Sequence, residues 1–164
     1  MKEKTTMNHN ASNRACHGLA DARIIKFRGF QKSWIYGGIS IFQNEATIFD
    51  VNCIANSAYE VEINSVGQFT GYLDVNGKEI YEGDILGDWD EVDGKMEQSK
   101  QTVYFDEMLG QWMLDNSLRQ DRTLSYSLFS ELQDFEYEII GNVYENPELL
   151  TPNNPTHETT NNAD

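Results

Sequence analysis

Histidine is the side chain best suited to general-base and metal chemistry near neutral pH, and the sequence has three: His9, His17 and His157. All lie in polar, aperiodic stretches near the two ends. Those stretches are expected to be disordered, and a disordered segment cannot hold an imidazole in catalytic or ligating geometry. Cys16 and Cys53 belong to no C-x-x-C motif and read as a solvated thiol and a small buried hydrophobe. Carboxylates remain. Asp88, Asp90, Glu91 and Asp93 cluster, with Glu97 just beyond. A calcium loop needs oxygen ligands at its first, third and fifth positions and glycine at its sixth. Counted from Asp88, the fifth is Val92 and the sixth Asp93, so the pattern fails. Glycosidase chemistry needs two carboxylates at a set separation, and no spacing here selects a pair. Neither G-x-x-x-x-G-K-[ST] nor G-x-G-x-x-G occurs, so no phosphate loop is expected. These residues point away from an enzyme and from any cofactor or resident metal.

Charge is more informative. The chain carries a net −15. Residues 1–71 hold six acids and seven bases, while residues 72–164 hold 21 acids and five bases. The whole excess, −16, therefore sits in the second half. Such a field repels nucleic-acid backbones and favours either a basic protein partner or simple solubility. Direct nucleic-acid binding is not expected. The acidic loop of Asp88, Asp90, Glu91, Asp93 and Glu97 is the candidate partner-binding element. A second candidate is a groove of the kind that takes peptides, lined by Trp34, Tyr36, Trp89, Tyr104, Trp112, Tyr137 and Tyr144.

The elements that would position these residues are mostly strands. With 39% hydrophobic residues in 164, a single domain can bury a core. No apolar run approaches the roughly 20 residues of a membrane helix, and the start has no secretory signal. A disordered leader (1–22), a folded domain (23–150) and a disordered tail (151–164) are expected, with Met7 as an alternative start. Strands are expected over 23–28, 34–42, 47–54, 60–63, 66–72, 101–105, 111–114 and 137–144, with 101–105 and 111–114 an antiparallel pair around 107–110. Gly37 and Gly38 read as a bulge or bend within the second of these. Residues 74–77 (DVNG) read as a turn closed by the Asp74 side chain, with Gly77 at positive φ. Ile80 and Ile85 should bury, and Tyr81 should keep its hydroxyl wet. Gly83 and Asp84 should turn the chain into a strand at Ile85. Residues 88–99 read as a long hairpin loop, and 127–132 as a short helical turn.

Three stretches together resemble the YopX family of phage and prophage proteins: 23–28 (RIIKFR), 66–86 (VGQFTGYLDVNGKEIYEGDIL) and 139–150 (IIGNVYENPELL). The resemblance spans 23–150. It implies a mainly β fold with an SH3-like small barrel portion and at most short helices. It assigns no catalytic or binding residues. Where many relatives carry a tryptophan or an acidic turn after the first strand, this chain has Gly29, Phe30 and Gln31.

The expected function is that of a non-catalytic phage or prophage accessory protein, acting in the cytoplasm of the bacterial host. It would contact a host or phage protein through the acidic C-terminal half, in a counter-defence or regulatory role. Two other readings stay open: a self-assembling structural protein of phage origin that forms a homo-oligomer, and a carboxylate-dependent enzyme.

Overall fold

A computed structural model describes residues 24–50, 57–92, 95–115 and 125–151, with the backbone alone of 90–92 and 95–97. The expected leader, all but the first residue of the expected tail, the three histidines, both cysteines and Asp93 lie outside the described residues. The described chain is mainly β, as its alternating aromatic and β-branched runs require.

The first sheet holds β1 (Phe27–Phe30), β2 (Trp34–Phe42), β3 (Glu45–Asp50), β4 (Ala58–Val61), β5 (Gly67–Leu73) and β6 (Glu79–Tyr81) in the order β4-β3-β2-β1-β5-β6. β2 and β3 join through Gln43 and Asn44, both at positive φ (47° and 70°). That two-residue turn matches the twist of its flanking strands and starts β3 at Glu45, two residues before the expected 47. β2 does not bend at Gly37 and Gly38. Its register with β3 is unbroken from Gly37↔Asp50 to Phe42↔Glu45. Ala46, Ile48 and Val61 form this sheet's core, with Phe27, Ile35, Ile39 and Val66 packed against them.

The chain then passes into β7 (Asp84–Gly87), β8 (Trp89–Val92), β9 (Lys95–Gln98), β10 (Gln101–Asp106), β11 (Gln111–Asp115), β12 (Tyr126–Ser127), α1 (Leu128–Asp134) and β13 (Glu138–Asn142). The second sheet runs β12-β11-β10-β7-β13, and β8 pairs with β9. Ile80, Leu86, Val103, Trp112, Leu114, Leu128 and Tyr137 fill its core. Both sheets have free end strands among the described residues, so the SH3-like barrel that the resemblance implied is not closed here. The α-helix has seven residues, and no described helix is long and apolar enough to cross a membrane.

The 74–77 turn forms as its residues dictate. Asp74 Oδ1 accepts from the Asn76 and Lys78 amides at 2.9 and 2.8 Å, and Gly77 has φ 79°. Asp74 Oδ2 also accepts from the Ile139 amide at 3.2 Å, tying the turn to β13. Ile80 and Ile85 are fully buried. Tyr81 departs from expectation: it is buried, and its hydroxyl donates to Glu79 at 2.9 Å rather than to water.

Candidate functional site

Two features carry the chemistry of the second half and of the junction between the sheets. The first is the segment that sequence reads as a long hairpin loop. Its arms are paired strands. β7 and β10 pair as Ile85↔Thr102 and Leu86↔Gln101, and the same register continues through Trp89↔Gln98, Asp90↔Glu97, Glu91↔Met96 and Val92↔Lys95. One antiparallel ribbon thus runs from inside the second sheet to beyond it. Its root is pinned where the Asp88 carbonyl accepts from the Ser99 amide at 2.8 Å and the Asp88 amide donates to Ser99 Oγ at 3.1 Å. Past that point β8 and β9 pair with no third strand among the described residues.

The segment was misread because its acids mask the alternation that marks a strand. Asp90 and Glu91 ride on β8, Glu97 on β9 and Asp88 at the root, where Asp88 Oδ1 accepts from the Trp89 amide at 2.8 Å. Trp89 is 60% exposed. Among the described residues no three His, Cys, Asp or Glu side chains come together as a metal site would need.

The second feature, which sequence reasoning missed, is a buried ion pair. β1 lies inside the first sheet, so alternation puts Arg28 on the face opposite Phe27. Asp84 opens β7 after Gly83, whose φ is 80°. Arg28 Nη1 lies 2.6 Å from Asp84 Oδ1, with Arg28 7% and Asp84 1% exposed. Arg28 Nη2 donates to the Glu82 carbonyl at 3.2 Å, and Asp84 Oδ2 accepts from the Tyr81 amide at 2.8 Å. The guanidinium carbon sits 4.6 Å from the Trp34 ring centroid and 5.0 Å from that of Tyr81. The pair joins the two sheets. An arginine among aromatics and an aspartate after a glycine give no hint from spacing that they will meet 56 positions apart.

A cleft of about 270 Å³ opens beside this pair, walled by Trp34, Val66, Glu82, Tyr104 and Tyr144, with Arg28 contributing. Glu145 at its rim accepts from Trp34 Nε1 at 2.9 Å and Asn142 Nδ2 at 2.8 Å. Those two bonds hold its carboxyl below the usual range. Of the aromatics proposed as a groove, Trp34, Tyr104 and Tyr144 meet here, and Tyr36 packs against Tyr81 at 5.6 Å. The rest disperse. Trp112 packs on Phe105 at 4.9 Å, Tyr137 donates to Glu131 at 2.9 Å, and Trp89 stands on the ribbon. Glu82 is the one carboxylate lining this cleft among the described residues.

Burial pushes the Glu82 carboxyl up. A carboxyl raised by folding keeps a proton that the unfolded chain has already released. Its contribution is full below the ordinary carboxylate range and is lost as pH rises through the folded value. Self-repulsion of the −15 chain acts in the same direction. The urea midpoint should be higher near about pH 5 than near about pH 7.5. A higher midpoint at the alkaline side would contradict it.

The model of the YopX protein family matches residues 26–151, from just before β1 to the turn that follows β13. No curated protein matches the chain.

Proposed function

The chain belongs to the YopX family, and we propose that it is a non-catalytic phage or prophage accessory protein working by protein–protein contact in the cytoplasm of the bacterial host. The contact element is the β8–β9 arm, and the partner is a basic protein of host or phage. Its role is counter-defence or regulation.

The observation that supports this is the arm's continuation of the β7–β10 register beyond the sheet, with Trp89 60% exposed at its root. A ribbon with no third strand buries little and is marginal alone. Its register also sets Asp90 opposite Glu97, and like charges directly opposed destabilise a strand pair. A basic partner relieves that repulsion and covers the indole, which is the residue type most enriched at binding hot spots. The −16 of residues 72–164 steers such a partner in and turns nucleic acid away.

The test replaces Asp90, Glu91, Asp93 and Glu97 with lysine and leaves Asp88, which pins the root. Capture of a partner from host lysate should fall at least about tenfold, with circular dichroism unchanged. Equal capture by both chains sinks the reading.

One observation favours self-assembly instead. Ile41, Phe42 and Phe49 are exposed at the end of the first sheet whose edge strand is β4, and free edges with apolar neighbours associate. Light scattering at high concentration separates the two: a strict monomer removes self-assembly.

A further inference from the structure

The turn between β10 and β11 carries residues that a turn does not need. Loop tips favour Gly, Asn, Asp and Ser, which satisfy backbone groups or accept positive φ. Here two of those roles are filled at the flanks. Asp106 Oδ1 accepts from the amides of both Met108 and Leu109 at 2.9 Å. The Asp106 carbonyl accepts from the Gly110 amide at 2.7 Å, and Gly110 takes φ 64°. The backbone of the tip is therefore held by its own residues. What it presents is apolar: Met108 is 96% exposed and Leu109 61%. These side chains contribute nothing to the core, and they project from the most acidic half of the chain.

We infer that Met108 and Leu109 form a knob that seats in an apolar socket on a partner protein, with basic side chains rimming that socket. Three features on the tip define the match. Two adjacent large apolar groups need a pocket, because an exposed thioether and an exposed isobutyl group gain only by leaving water. The fixed backbone lowers the ordering cost of seating them. Asp106 and Glu107, with Glu107 exposed beside the knob, call for positive charge around the socket and disfavour a second copy of this acidic chain. An anionic membrane surface is disfavoured for the same reason.

The knob is independent of the β8–β9 arm. The arm joins β10 at its first residue and the knob follows its last, and six strand residues separate them by about 20 Å. Loss of one contact leaves the other standing.

The probe is a photo-crosslinking amino acid, p-benzoylphenylalanine, placed at Met108 in the full chain within producing cells. The same group at Gln31, also in an exposed turn, is the control. A discrete adduct with another protein at Met108 and not at Gln31 is expected. That protein, purified, should bind the unsubstituted chain. Its Kd should rise at least about tenfold on Met108→Ser with Leu109→Ser, and rise less on Asp106→Ala, which frees the tip without removing the knob. Melting of the serine variant should match the parent, since neither side chain is buried. The inference is overturned if position 108 gives no adduct above the control. It is also overturned if the adduct is only with the chain itself, or if the partner's Kd is unmoved by the serine substitutions.

Discussion

Asp84→Ala should lower the free energy of unfolding by roughly 3–5 kcal/mol, the range for removing one member of a buried ion pair. The loss does not measure the attraction between Asp84 and Arg28. It reflects what remains: a guanidinium 7% exposed, wedged between Trp34 and Tyr81, with only the Glu82 carbonyl to bond and no carboxylate in direct contact. Arg28 Nε already has no partner among the described residues, so truncation would leave two of its three nitrogens unsatisfied. The Tyr81 amide would lose its acceptor as well. Asp84→Asn keeps an oxygen for that amide and should cost less, giving a graded series if the alanine variant folds poorly.

Arg28→Met with Asp84→Leu together should cost far less than the sum of the single changes, because no charge is then stranded. Urea unfolding of the four chains in a double-mutant cycle reads this directly. An Asp84→Ala cost under about 1 kcal/mol would show that the carboxylate is not the guanidinium's counterion. Since domain stability is about 5–15 kcal/mol, the single change should also lower soluble yield.

The same pair shows what a sequence reveals and what it conceals. The Asp74 turn was legible because a turn is local: the residue that accepts the hydrogen bonds stands two and four positions from the donors. The β10–β11 hairpin was legible because two alternating runs flank a short break. Burial of Ile80 and Ile85 followed from residue type. The Arg28–Asp84 contact was not legible, because it depends on which face of β1 meets the start of β7, and that is decided by the packing of two sheets. The β8–β9 arm was missed for a different reason. Strand pairing there continues a register set deep in the second sheet, at Ile85↔Thr102, so its local acidic pattern is overridden by its neighbours. The aromatic groove was half legible: residue type marks Trp34, Tyr104 and Tyr144 as able to wall a cleft, and Trp112 and Tyr137 as able to fill a core, but only the tertiary fold sorts them.

Gly37→Ala should cost about 3 kcal/mol, the upper end of the usual range for overpacking. The reason corrects the bend expected at this position. β2 is an inner strand, and Gly37 is paired on both sides, with Phe27 of β1 and Asp50 of β3. A methyl group there would lie 1.8 Å from the Phe49 carbonyl oxygen. Side chains can rotate away from an intruding group, but a carbonyl held within a sheet cannot move without shifting its strand. The shift would open the β2–β3 pairing beside Ile48, which is fully buried at the centre of the first core. Gly38→Ala is the matched control. A methyl at Gly38 meets no atom within 4 Å, and replacing a strand glycine with alanine there should be neutral or slightly stabilising through lost unfolded-state entropy. Thermal melts of the two variants side by side decide the matter. A bend at these glycines predicts similar penalties at both positions, whereas an unbroken strand with one close carbonyl predicts a penalty at Gly37 alone.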